Sequence, residues 1–173
     1  GDWRFQMPLY KKHFQINTGD SEKLWILWLL FHCGDSAEKL AQAGLDWKLP
    51  KKWIQKAVYT QQSLPQLKNL GRIPPEDAAI YLAKPNSRFA IEVFQQLYGD
   101  QIDSKWQACF KEAQAFFVDG ELPSPLVTGD DLIQYGFSPG PEIARQLKEL
   151  YKVQIRSKVS NKEDLINRLG KQK

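Results

Sequence analysis

The stretch LPSPLVTGDDLIQYGFSPGPEIARQLKELY, Leu122 to Tyr151, decides the fold. Thr128 and Asp131 stand at capping-box spacing, where hydroxyl and carboxylate each satisfy a backbone donor that a helix start leaves open. Gly136 is expected to end that helix, because glycine takes a left-handed C′ conformation at no steric cost. Ser138 is expected to cap a second helix, with Pro139, Gly140 and Pro141 in its first turn. The segment therefore reads as two helices joined at a stiff corner.

The same punctuation recurs outward from this corner. Asp20 or Ser21 precedes LWILWLLFHC, and Asp35 or Ser36 precedes AEKLAQA. Pro50 opens KKWIQKAVYTQQ, Ser63 with Gln66 has capping-box spacing before LKNL, and Pro75 opens EDAAIYLA. Asn86 or Ser87 precedes RFAIEVFQQLYG, Asp103 or Ser104 precedes KWQACFKEAQAFFVDG, and Ser160 with Glu163 forms a further box. Gly34, Gly44, Gly71, Gly99, Gly120, Gly136 and Gly170 each follow an amphipathic run as a helix stop would. Period-two alternation is scarce, so the expectation is an all-α, multi-helical array of roughly ten short helices. DGELPSPLV, Asp119–Val127, lacks helical pattern and is expected to be an extended connector. It divides a helical body, residues 1–120, from a smaller helical tail, residues 121–173.

The totals fit a packed protein. Of the 173 residues 42% are hydrophobic and six are tryptophan, enough apolar surface to exclude disorder. The net charge is +4, unevenly spread: +3 over residues 1–60, −4 over 61–140 and +5 over 141–173. The densest positive segment thus follows the corner, as a nucleic-acid contact or a solvated terminal helix would. Cys33 and Cys109 form no close pair and read as buried free thiols, consistent with a reducing cytoplasm. The run Leu24–Cys33 is half the ~20 residues a membrane span needs. His13 and His32 have no partners at ligand spacing, which argues against zinc. The adjacent Asp130 and Asp131 suit a helix's first turn better than a shared metal. No nucleophile–base–orienter set is visible, so no catalytic residue is assigned. The opening GDWRFQ lacks an initiating Met, and the expectation is that the chain is a piece of something longer, with Gly1 a possible cloning remnant.

The corner offers chemistry of its own. With two prolines in the turn, the remaining backbone donors are chiefly the N–H groups of Gly140 and Glu142. A phosphate could be held there by helix-end donors and the dipole. Arg145, Lys148, Lys152 and Arg156 follow, the last three at i, i+4 and i+8 on one face, ~6 Å apart. Lys51 and Lys52 form a second, weaker basic pair. A rigid turn with a solvated cationic face explains the same residues, and both readings stay open on the residues themselves.

The segment P-L-V-T-G-D-D-L-I-x-x-G-x-x-P-G-P-x-I-A-x-x-L resembles the C-terminal region of bacterial class II tRNA nucleotidyltransferases, the CCA-adding enzymes and their poly(A) polymerase relatives. The matching positions are Pro125, Thr128, Gly129, Asp131, Leu132, Gly136, Pro139, Gly140, Pro141, Ile143 and Leu147; Ala144 stands where the family commonly has Gly. Upstream, KLPKKWIQKAV and RIPPEDAAIYLAKPNSRFAIEVF are similar to stretches of the family's body, with Pro75 in place of a serine. The likeness spans about residues 20–165.

What the resemblance implies is the body and tail of such an enzyme, holding tRNA or another structured RNA while a catalytic head adds nucleotides to the 3′ end. The family's D-x-D metal pair does not occur here. The E-D-x-x-x run at Glu76–Ile80 has Ile80 where the nucleotide-selecting arginine stands, so nucleotide selection is not carried over. By this reading the fragment is inactive alone and needs no cofactor, while Mg2+ and ATP or CTP act in the absent head. No membrane partner is implied, and an oligomer is allowed. Two further readings are a helical scaffold or dimerisation module, suggested by Trp3, Trp47, Trp53 and Trp106, and a helix-hairpin-helix DNA binder.

Overall fold

A computed structural model describes residues 21–33 and 36–169. These residues form helices α1 (Ser21–Cys33), α2 (Ala37–Asp46), α3 (Lys51–Lys68), α4 (Pro75–Leu82), α5 (Ser87–Tyr98), α6 (Ser104–Gln114), α7 (Gly129–Gln134), α8 (Pro141–Ser157) and α9 (Lys162–Leu169). Short 3-10 turns cover Leu70–Arg72 and Gly99–Gln101. Among the described residues there is no strand, only an isolated bridge between Val118 and Glu121. The all-α expectation holds. Asp20, Gly34, Asp35 and Gly170, named above as caps and stops, lie outside the described residues, as do Trp3 and His13.

The chain divides into two compact units. One comprises the described residues up to Arg72 together with Lys84–Gln107; the other comprises Ile73–Ala83 and the described residues from Ala108 onward.

In the first unit α1 carries a continuous apolar run after Glu22 and Lys23, and Ile26 through Leu30 are all buried. They pack with Leu40, Ala57 and Val93. Trp47 lies against Trp28 at 4.0 Å between ring centroids and meets Trp25 edge-on at 5.4 Å. Ser36 caps α2, its hydroxyl accepting from Lys39 N–H. Gly44 does not stop that helix. It sits buried inside it, where a Cβ would lie 2.7 Å from Ile54 Cγ1, so this glycine serves close packing against α3. Gly71 and Gly99 likewise lack the left-handed conformation expected of stops.

The box expected at Ser63 and Gln66 starts no new helix. α3 runs on to Lys68 with Pro65 inside it, carrying the buried stripe Ile54, Ala57, Thr60, Ser63 and Leu67. The Ser63 hydroxyl donates back to Tyr59 C=O at 2.7 Å instead of capping, a bond serines make within helices. Continuous burial of that stripe outweighs the cost of the proline. Trp106, at the start of α6, is buried, and its indole N–H donates to Leu67 C=O at 2.7 Å.

The second unit packs Val127, Leu132, Leu150, Leu165 and Ile166. Cys109 is buried, its thiol 3.6 Å from Ile73 C=O, and burial raises its pKa. Cys33 is only partly buried. The box expected from Ser160 and Glu163 is replaced by Asn161, whose side-chain oxygen accepts from Glu163 N–H at 2.9 Å before α9 begins at Lys162. Asparagine caps about as well as serine, and Asn161 stands directly before the first helical residue.

The connector opens on a turn at Asp119 and Gly120, closed by the Val118–Glu121 bridge, and only beyond Glu121 is it extended as expected and held by side chains of α8. The Gln154 side chain, only 3% exposed, accepts from Leu126 N–H at 3.0 Å and donates to Ser124 C=O at 2.8 Å. Tyr151 O–H donates to Pro123 C=O at 2.9 Å. Two polar side chains of α8 thus replace the backbone pairing that an extended segment otherwise lacks.

Candidate nucleic-acid interface

The corner forms between α7 and α8. Thr128 and Asp131 make the capping box in both directions: Thr128 N–H donates to Asp131 Oδ2 at 2.8 Å, and Asp131 N–H reaches back to the Thr128 hydroxyl. The Thr128 hydroxyl also donates to that carboxylate at 2.8 Å, and Lys162 of α9 pairs with its other oxygen. The Lys162 hydrogen bond, followed by those from Thr128, brings the Asp131 pKa down to about 2. Asp131 is thus fully committed to tying α7 to α9.

Gly136, at φ +92°, ends the α7 turn as expected, and its N–H donates to Ile133 C=O. Ser138 does not cap α8. The helix begins at Pro141 with Gly140 as its N-cap, at φ +155° and without a side-chain cap. Pro141, with its fixed φ and missing N–H, suits the first helical position and sets this start. Nothing lies within 4 Å of where a Gly140 Cβ would be, so the cap faces open space. The backbone N–H groups of Gly140 and Glu142 have no intrahelical acceptors in such a start.

The cations expected along α8 differ in how free they are. Arg145 is 71% exposed and forks onto Glu142, Nε to Oε2 at 3.0 Å and Nη2 to Oε1 at 2.7 Å. Arg145, then Gln146, holds the Glu142 carboxyl below its usual range, and Glu142 raises Arg145 in turn. Lys148 is exposed and in no ion pair among the described residues. Lys152 is largely covered, paired with Asp77 of α4 at 2.9 Å and with Glu149 at 3.1 Å. Its pKa is raised chiefly by the Asp77 bond. Arg156 reaches buried Glu76 of α4 at 3.2 Å. The i, i+4, i+8 row lies along α8, but its last two members fasten α8 to α4. Lys51 and Lys52 are exposed in the first turn of α3, in the first unit.

Gln154 and Tyr151 are the positioning residues that pattern reading passed over. The available signal was a glutamine four residues after Leu150 on the buried side of α8, where an apolar residue would otherwise stand.

Among the described residues, then, the site belongs to a strandless helical module that presents backbone donors and cations from a rigid helix–corner–helix. The family comparison places it more closely: residues 16–169 match the family model described as tRNA nucleotidyltransferase domain 2, and the chain belongs to that family. No curated protein and no solved structure matches it. The resemblance drawn from the corner and body stretches is thereby upheld, and membership supports a role in tRNA nucleotide addition.

Proposed function

We propose that this chain is the RNA-holding body and tail of a tRNA nucleotidyltransferase of CCA-adding or poly(A) polymerase type. It grips the acceptor–T-arm side of tRNA by its backbone while a catalytic head extends the 3′ end in the cytoplasm. The observation that carries this reading is the open start of α8: Gly140 faces free space, with Glu142 N–H beside it and exposed Arg145 and Lys148 one and two turns on. Such a start recognises a phosphate without reading sequence. A-form RNA is held in this way, by shape and backbone. Glu142 occupies Arg145 in the free protein, and an incoming phosphate would exchange with that carboxylate on the guanidinium fork. Lys152 and Arg156 contribute first by fixing α8 and second by their positive field. Lys51 and Lys52 supply a separate cationic contact.

In this reading Mg2+ and the nucleotide triphosphates act in the head. The described residues of this chain do not fit a metal: no three of His, Cys, Asp and Glu converge, and Asp131 is already bonded to Thr128 and Lys162.

The test is equilibrium binding of the 173-residue chain to tRNA, an RNA hairpin and duplex DNA across a salt series. Preference for tRNA, weakening steeply with salt, is expected. Lys148→Ala should weaken binding and lower the salt slope by ~1. Preference for duplex DNA would replace this reading with the helix-hairpin-helix DNA binder. RNA-independent self-association without RNA binding would favour the scaffold.

A further inference from the structure

The first unit contains a cleft of about 540 Å³ formed entirely from its own residues, unrelated to the corner. Its floor is rigid. Phe94 and Trp106 stack at 5.8 Å between centroids with planes 21° apart, and both are buried. Trp106 is clamped twice, its indole N–H on Leu67 C=O and its backbone N–H on Asp103 Oδ1, each at 2.7 Å. Gly71 brings the 3-10 turn down onto the start of α6, so close that a Cβ would lie 2.7 Å from Trp106 N.

That close approach sets Arg72 and Lys105 on the lining of the same cleft, although they are far apart in sequence. Lys68 joins them, its Nζ held 4.5 Å above the Tyr98 ring centroid. Lys23, Lys56, Lys152, Arg156 and Lys162 all have carboxylate partners. No ion pair found among the described residues involves Lys68, Arg72 or Lys105. The one carboxylate lining the cleft, Asp103, is engaged by the Trp106 N–H. Three cationic residues on the lining of one cleft, with a single carboxylate among them, leave an excess of positive charge there, and a bound anion offsets it. Tyr98 is already engaged by Lys68 and by Phe94, at 5.2 Å between centroids, so the cleft presents charge and not a free stacking surface for a base.

The geometry points to a phosphate-binding cleft in which Arg72 takes two phosphate oxygens in its planar fork while Lys68 and Lys105 balance the remaining charge. The phosphate is either a diester of an RNA backbone or a free monoester. The site stands independently of the corner, which lies in the other unit.

The experiment follows the backbone amide signals of Gly71, Arg72 and Lys105 and the Trp106 indole N–H in the isotope-labelled chain. One arm titrates inorganic phosphate and AMP; the other titrates a short single-stranded RNA with a 5′-hydroxyl, which carries only diesters. Sodium chloride at matched ionic strength is the control. The four signals are expected to move together in at least one arm, and the responding arm identifies the source. Arg72→Ala with Lys105→Ala should weaken that binding by about tenfold, below a ceiling of about 25-fold if each exposed charge contact is worth up to about fivefold. Arg72→Lys should retain most of it. Because these side chains are exposed, the tryptophan near-UV circular dichroism of the variants should match the parent and so report an intact cleft. Lys148→Ala should leave the affinity of the cleft unchanged, so failure at the corner and failure here are separately visible. Silence of the four signals in both arms would overturn the assignment. So would equal shifts with sodium chloride, or unaltered affinity in the double variant.

Discussion

Gly71→Ala probes the packing on which the cleft depends. The added Cβ would sit 2.7 Å from Trp106 N, 2.9 Å from Lys105 C and 3.0 Å from Trp106 Cα. All three are backbone atoms at the start of α6, pinned by the Asp103 cap and by the bond from Trp106 to Leu67. Carbon contacts are most favourable near ~3.5–4.0 Å, so the two segments must separate by roughly half an ångström or more. Overpacking of this kind costs about 1–3 kcal/mol. Alanine also restricts the unfolded chain, which returns ~0.4–1 kcal/mol. The expected net loss is about 1–2 kcal/mol, or about 2–8 °C in Tm for a chain of this length. Trp25, Trp28, Trp47, Trp53 and Trp106 all belong to the first unit, so tryptophan fluorescence in a urea titration follows its unfolding. Gly44→Ala is the control. Its Cβ also meets an atom at 2.7 Å, but that atom is Cγ1 of the Ile54 side chain, which can turn aside. Alanine inside a helix recovers up to about 1 kcal/mol, so this variant should stay within about 1 kcal/mol of the parent. A Gly71→Ala chain as stable as the parent would refute the reasoning.

Gln154→Leu should destabilise the second unit by about 1–3 kcal/mol, because Leu126 N–H loses its acceptor in a partly buried setting; hydrogen exchange of that amide would show it. Acid should loosen the α7–α9 tie. Asp131 titrates near 2 in the folded chain against 3.8 ordinarily, so its contribution is complete above about pH 4 and is lost as pH falls toward 2. Asp131→Asn should flatten that acid limb, read from the exchange of Thr128 N–H across pH. At the corner, Arg145→Ala is expected to weaken tRNA binding less than Lys148→Ala does, since Glu142 already competes for Arg145; equal losses in parallel titrations would contradict this.

Much of the fold was legible because helix ends are chemically local. Thr128 with Asp131, Ser36, Asp103, Pro75 and Gly136 act within a few residues of themselves, and each stands where its neighbours place it. The misreadings have the opposite cause. Ser63 and Gly44 carry the marks of a start and a stop, but burial of the α3 stripe and of Ile54 decided their fate. At Ser138 and Ser160 a competing neighbour, Pro141 or Asn161, set the helix start instead.

The sequence by itself determined the all-helical architecture, the capped corner and the family, since each rests on residues a short distance apart along the chain. Tertiary structure alone decided which cations are free. The spacing of Lys148, Lys152 and Arg156 puts them along one helix, yet Asp77 and Glu76, more than seventy positions away, claim the last two and leave Lys148 to solvent. It also assembled Lys68, Arg72 and Lys105 around one cleft. Ion pairing and cleft formation depend on distance through space, and the linear pattern of charges does not carry that distance.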